Sequence, residues 1–265
     1  MKKNKIYFKL IMTIFNIISQ AIKPKRFIIM IKKFFLRFFD HQGTLNFSEN
    51  LNWLESNCIL FEDYAKGIDP NLWENSKKAC EKIKIEANTK LKKIKYDLGG
   101  GGFYPLLYFL VSLKKPKVII ETGVAAGYSS YAILKAIERN GMGRLYSSDF
   151  PYFRIPNPEK YIGIIIPEKL KKSWDLLIDG DNINLPIISK KIKKIDIFHY
   201  DSDKSYIGRK NALNLLKNNI DSSTTLIMDD IQDNSFFHDY ILKFKNLKWY
   251  IFKFEGKYIG FIEGL

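Results

Sequence analysis

Five short apolar runs in the carboxyl-terminal part of the chain each close on an acidic residue. Val118-Ile119-Ile120 closes on Glu121, Leu145-Tyr146-Ser147-Ser148 on Asp149, and residues 174–178 at Asp179-Gly180-Asp181. Residues 195–200 close on Asp201, and Thr225-Leu226-Ile227-Met228 on the pair Asp229-Asp230. Short continuous apolar runs read as strands buried on both faces, and helical patterns such as residues 128–139 separate them. Strand–helix alternation dictates a parallel sheet with right-handed crossovers. In such sheets ligands bind beyond the carboxyl ends of the strands. One acid there would be a cap or a turn residue. An acid closing each of five strands lines one edge with acceptors for hydroxyls, an amine or a metal. Two further runs, 249–254 and 258–262, flank Glu255-Gly256-Lys257 and read as an antiparallel hairpin. The expected fold is α/β, a doubly wound, mostly parallel sheet with a carboxyl-terminal antiparallel hairpin.

Residues 1–95 read instead as a helical amino-terminal extension. Apolar residues recur at three- and four-residue spacing, Pro24 and Pro70 mark breaks, and Asp69-Pro70 looks like a helix start. Residues 96–265 form the second unit.

Charge is concentrated in the extension. Residues 1–40 carry ten basic side chains (Lys2, Lys3, Lys5, Lys9, Lys23, Lys25, Arg26, Lys32, Lys33, Arg37) against Asp40. That is +9 of the chain's +15 and leaves +6 for the other residues, an ordinary surface charge. No zinc-finger spacing, RNP-type aromatic motif or basic helix interleaved with stacking aromatics supports nucleic-acid binding. The uncharged stretch 10–22 is too short to span a bilayer. With the basic, aromatic stretch 27–39 it could instead lie in a membrane interface, giving a peripheral contact through residues 1–40, or pack on the domain or on a second subunit of a homo-oligomer. Cys58 and Cys80 make neither a disulfide framework nor a metal site and fit a reducing cytoplasm.

The first strand–loop–helix unit is Glu121-Thr122-Gly123-Val124-Ala125-Ala126-Gly127-Tyr128-Ser129-Ser130. Glycine permits a tight turn and close approach to a ligand. The spacing is Gly-x-x-x-Gly, not the Gly-x-Gly-x-x-Gly of a dinucleotide site, and the run Gly99-Gly100-Gly101-Gly102 lacks the Gly-Lys-Ser/Thr of a phosphate loop. This segment resembles motif I of class I S-adenosylmethionine-dependent methyltransferases, whose sheet is Rossmann-like, and specifically bacterial members beginning Glu-Thr-Gly. The resemblance covers residues 96–265 and implies a catalytic domain there. It places Glu121, Gly123, Ala125, Gly127 and Ser129 at the cofactor, Asp149 on the ribose hydroxyls and Asp181 beside the adenine. Ala125 stands where many members have glycine.

Asp201-Ser202-Asp203-Lys204 is similar to the Asp-x-x-Lys segment of metal-dependent O-methyltransferases. That resemblance implies a divalent cation such as Mg²⁺ on Asp201, Asp229 and Asp230, with Asp230 in place of the family's Asn, and Lys204 as general base. Three carboxylates suit a hard, oxygen-preferring cation. A hydroxyl is a poor nucleophile until it is deprotonated or metal-bound, so Asp201, Lys204 and His199 are the candidate catalytic residues. Lys204 serves as a base only if burial depresses its pKa. The resemblance implies O-methylation of a small hydroxylated acceptor, such as a sugar or secondary metabolite. Two readings compete with it: a nicotinamide-dependent oxidoreductase of similar topology, and a membrane-peripheral binding module without turnover.

Overall fold

The structure is a computed structural model that describes residues 2–22, 26–27, 29–31, 43–244 and 246–265, with side chains from residue 11 onward. Most of the basic stretch 27–39 and His41 lie outside the described residues. Among the described residues, eight strands form one sheet in the order β1-β7-β8-β6-β5-β2-β3-β4. These are β1 (Cys58–Ile59), β2 (Val118–Thr122), β3 (Arg144–Ser148), β4 (Trp174–Leu177), β5 (Ile197–Tyr200), β6 (Thr225–Met228), β7 (Lys248–Phe254) and β8 (Lys257–Glu263). The run β6-β5-β2-β3-β4 is parallel, with Ile120 opposite both Tyr146 and Phe198. β8 runs antiparallel to β6 and to β7.

The parallel strands follow from their composition. Ile119, Ile120, Ile197, Phe198, Leu226 and Met228 are all buried, as continuous apolar runs covered on both faces must be. Helices α5 (Tyr104–Lys114), α6 (Tyr128–Asn140), α7 (Asp181–Lys191) and α8 (Tyr206–Leu216) cover those faces, with α9 (Phe236–Leu242) after β6. The hairpin turn puts Glu255 and Gly256 at φ 49° and 78°, the left-handed pair that a two-residue connection between twisted strands requires.

The amino-terminal part contains α1 (Lys2–Ala21), α2 (Phe47–Asn57), α3 (Phe61–Ile68) and α4 (Pro70–Leu91). Asn46 and Glu49 form a capping box on α2, and Asp69 accepts from Leu72 N at the start of α4, with Pro70 in its first turn. The helical reading of this part misses one element. Cys58 and Ile59 form β1, parallel to β7 at Ile251 and Phe252, and so extend the sheet edge. Phe61 stacks edge-on against Phe252 at 4.9 Å and Trp73 at 5.3 Å, which joins α3 and α4 to the core on that side. Both cysteines are free. Cys80 is buried, and burial pushes its thiol up to about 12, so it is chemically inert. No described helix is long and apolar enough to cross a membrane.

Candidate active site

The parallel topology brings the strand-terminal acids to one edge. Reading across β6, β5, β2, β3 and the turn after β4, that edge carries Asp229-Asp230, Asp201, the Gly123 loop, Asp149 and Asp181. Gly123 adopts φ 82°, Ala125 φ 51° and Gly127 φ 105°, three left-handed residues in five. This bends the chain sharply from β2 into α6, with Gly127 as the helix N-cap. The glycines serve internal packing. A Cβ on Gly123 would lie 2.3 Å from Asp201 O, and one on Gly127 would lie 2.9 Å from Gly163 Cα. Ala125 accepts a conformation that L-residues adopt at a cost.

Asp149 takes the loop in hand. Its Oδ2 accepts from Val124 N at 3.1 Å and Ala125 N at 2.9 Å, and its Oδ1 from Phe150 N. Burial outweighs these bonds and raises its pKa to about 6. Asp181 opens α7 and accepts from Ser148 Oγ at 2.6 Å and from Ser202 Oγ. Ser129 is buried in the first turn of α6, beside Ser130.

Glu121 lies beneath this surface, fully buried. Its Oε2 accepts from Ser130 Oγ at 2.5 Å and Ser147 Oγ at 2.8 Å. Its Oε1 stands 3.8 Å from His199 Nδ1, and His199 Nε2 stands 3.6 Å from Asp229 Oδ1. These are ion-pair distances. Neither Glu121 Oε1 nor His199 Nδ1 has a hydrogen-bond partner. Burial alone would lower the pKa of His199, but Asp229 and Glu121 outweigh it and raise it to about 10. His199 is thus a buried imidazolium bridging two carboxylates. A ring that holds its proton this firmly positions Asp229 and does not act as a base.

Beyond it the surface charge is shared with lysines. Lys204 bonds Asp201 and lies 3.0 Å from Asp230 Oδ2, while Lys257 lies 3.0 Å from Asp230 Oδ1. Burial works against the Lys204 ammonium, yet Asp201 and Asp230 hold its proton more firmly than usual. A lysine base needs a depressed pKa, and these two carboxylates shift Lys204 the other way. Asp201 is raised to about 6, first by burial and then by the Asp229 charge. Both shifts leave an ammonium–carboxylate pair at neutral pH. Burial would raise Asp230 too, but Lys204 and Lys257 take it down to about 2.

The carboxylates do not fit the cation implied by the resemblance. Asp229 faces His199, whereas Asp201 and Asp230 share Lys204. Among the described residues no group of three or more His, Cys, Asp or Glu side chains is disposed to hold a metal ion.

Several residues here carry no motif. Arg209 on α8 is fully buried and donates to Asp229 O at 3.0 Å and Asp230 O at 2.9 Å, fixing the turn after β6. Asp230 sits there at φ 54°, a conformation that Asp and Asn tolerate best among side-chain-bearing residues. The glycine run closes over the edge, since a Cβ on Gly102 would lie 2.8 Å from Asp229 Oδ2. Tyr152 Oη donates to Leu98 O at 3.2 Å and ties the loop after β3 to that run. His238 packs edge-on against Trp53 at 4.8 Å, toward α2. The void beside Asp229, Asp230 and Lys257 is about 10 Å³. A shallow hollow of about 630 Å³ lies at the opposite ends of the strands, by Lys114, Lys193 and Asp196. The charged and polar side chains are thus concentrated at the edge where the protein leaves little space beside Asp229 and Asp230.

Comparison with known proteins bears on the domain and its fold. Residues 120–231, from β2 to the turn after β6, match a family described as a methyltransferase domain. No curated protein matches the chain. Among solved structures, it is similar to an O-methyltransferase from Streptomyces achromogenes involved in tomaymycin synthesis, in complex with SAM, at 14% identity, TM-score 0.54, covering 69% of this chain and 89% of that one. An O-methyltransferase from Bacillus cereus in complex with SAH aligns at 14% identity, TM-score 0.50, over 79% and 99% of the two chains. An SAH-bound Podospora anserina methyltransferase aligns at 11% identity, TM-score 0.50, over 75% and 97%. At these identities the likeness is one of fold.

Proposed function

We propose that this chain is a class I S-adenosylmethionine-dependent methyltransferase, a reading supported by its fold and by the methyltransferase-domain match at residues 120–231, and that it methylates a hydroxyl oxygen of a small acceptor such as a sugar or secondary metabolite. The observation that carries the oxygen-directed reading is the Asp201–Lys204–Asp230 cluster at the ends of β5 and β6. The O-methyltransferases among the structural neighbours agree with it.

The residues fit the cofactor. The left-handed turn of Gly123, Ala125 and Gly127 provides a backbone cradle. Asp149 at the end of β3 offers two oxygens to a ribose diol, displacing them from the loop amides they now hold. Asp181 lies next along the same edge. When bound, S-adenosylmethionine supplies an electrophilic methyl group on a sulfonium.

The chain's own residues supply the rest. Asp201, with its pKa near 6, is ionised at neutral pH and basic enough to accept the acceptor's hydroxyl proton. Lys204 keeps its charge and stabilises the oxygen as negative charge develops there. His199 holds Asp229, and Arg209 holds the turn that carries Asp229 and Asp230. A divalent cation at this point would have to displace Lys204 from two carboxylates.

Release of S-adenosylhomocysteine, followed with a panel of catechols, sugars and primary amines, tests the reading. Turnover confined to hydroxyl acceptors and abolished by Asp201→Asn supports it. Turnover confined to amines overturns it.

A further inference from the structure

Helix α1 rests on the body of the protein with its polar side inward. Asn16 is 7% exposed and Gln20 8%, whereas Ile11, Phe15 and Ile18 are 61%, 64% and 55% exposed. Ordinary surface helices are the reverse. At about 100° per residue, Ile11, Ile14, Phe15, Ile18 and Ile22 fall within one arc of about 100°, with Asn16 and Gln20 on the far side.

Polar contacts fix this orientation. Asn16 Nδ2 donates to Arg154 O at 3.2 Å. Arg26 donates to Gln20 and pairs with Glu159 at 2.6 Å. Arg154 and Glu159 belong to the loop after β3, so α1 lies on the segment that leads away from Asp149. Turning the apolar stripe inward would break these bonds. Phe27 and Ile31 are also exposed, at 48% and 39%. A contiguous apolar face held outward in this way marks an interaction surface.

Charge selects the occupant. Residues 1–40 carry ten Lys and Arg against one acid, and Lys2, Lys3, Lys5 and Lys9 lie in α1 itself. A second copy on this stripe would bring two +9 segments together, and like charges oppose such a contact. An anionic lipid surface offers the complement, with apolar depth for the stripe and negative charge opposite the net charge of residues 1–40. α1 has 20 residues, and no described helix is long and apolar enough to cross a bilayer, so it would lie in the interface plane.

We propose that α1 docks this chain onto an anionic membrane surface, with Ile11, Ile14, Phe15, Ile18 and Ile22 in the headgroup–acyl boundary and the net positive charge of residues 1–40 drawing the chain to that surface. The proposal is independent of the methyl-transfer reading.

Vesicle flotation of the full chain tests it, using phosphatidylcholine alone or with about a third phosphatidylserine. The chain is expected to float with the anionic vesicles only and to lose most of that binding at about 0.5 M salt. The double variant Phe15→Glu/Ile18→Glu, made at two exposed positions, is expected to stay unbound, with circular dichroism, melting temperature and light-scattering mass unchanged. Failure of the wild-type chain to float, or flotation of the variant like wild type, overturns the proposal. So does a wild-type dimer that the variant turns into a monomer, because a second copy would then cover the face.

Discussion

Lys204 Nζ lies 3.0 Å from Asp230 Oδ2, and the same ammonium holds Asp201. One lysine thus pairs with the acids that end two neighbouring strands, at the point where the resemblance implied a metal. Lys204→Met is expected to lower kcat by about 10²–10³, the loss typical of removing one preorganised charge from a developing oxyanion. Comparing kcat with the cofactor's affinity checks it: affinity should stay within about threefold if Lys204 acts on the acceptor.

The same relationship fixes the response to chelation. Activity is expected to persist in EDTA and to be unaffected by added Mg²⁺, because Lys204 and Lys257 already supply positive charge to Asp201 and Asp230. Loss of activity in EDTA with recovery on Mg²⁺ would show that Asp201, Asp229 and Asp230 regroup around a cation.

Asp201 sets the acid limb of the rate. Its pKa is raised to about 6 in the folded protein by burial and by Asp229, and the base must be ionised to accept a proton. The rate should therefore rise with pH through about 6 and then level. Asp201→Asn should lose about 10²–10⁴ in kcat and also lose that limb. A profile that keeps the limb in the variant assigns it to another group.

His199 is expected to govern stability, through the charge it shares with Glu121 and Asp229. Its folded pKa of about 10 exceeds the unfolded value of about 6.5. Between those values the folded state binds more protons, so this contribution is full below about 6.5 and is lost as pH rises toward 10. His199→Gln should cost about 3–5 kcal/mol at pH 6, since two buried carboxylates lose their counter-charge, and should flatten the decline above pH 7. Urea unfolding at pH 6, 8 and 10 measures both.

Ala125 tests the turn. It holds φ 51°, where a branched side chain is strained. Ala125→Val should destabilise by more than about 1 kcal/mol, and Ala125→Gly should stay within about 0.5 kcal/mol of wild type, relief of strain offsetting the flexibility of glycine in the unfolded chain. Equal melting temperatures for the two variants would show that the loop relaxes freely.

The sheet was legible because its physics is one-dimensional. Residues buried on both faces read as unbroken apolar runs, and Asp149 and Asp201 mark where such runs end. β1 was not legible, because Cys58-Ile59 has no alternation and gains its identity only from β7. The site residues were visible by type, but their roles depended on neighbours distant in sequence. His199 becomes a bridge only when β2 and β6 flank β5. Arg209 and Lys257 looked like two more basic residues in a Lys-rich chain, and burial and hydrogen bonds set them apart. The periodicity of α1 gave two faces. Asn16 and Arg154 decided which one turns inward.

Titration calorimetry of S-adenosylhomocysteine into the wild-type chain and Asp149→Asn most directly probes whether the carboxylate edge is a nucleoside site. Saturable one-to-one binding by wild type is expected, weakened by about 10²-fold in a folded Asp149→Asn variant that has lost a charge-assisted acceptor. Equal affinity in both, or no binding by wild type while NAD binds, would contradict it.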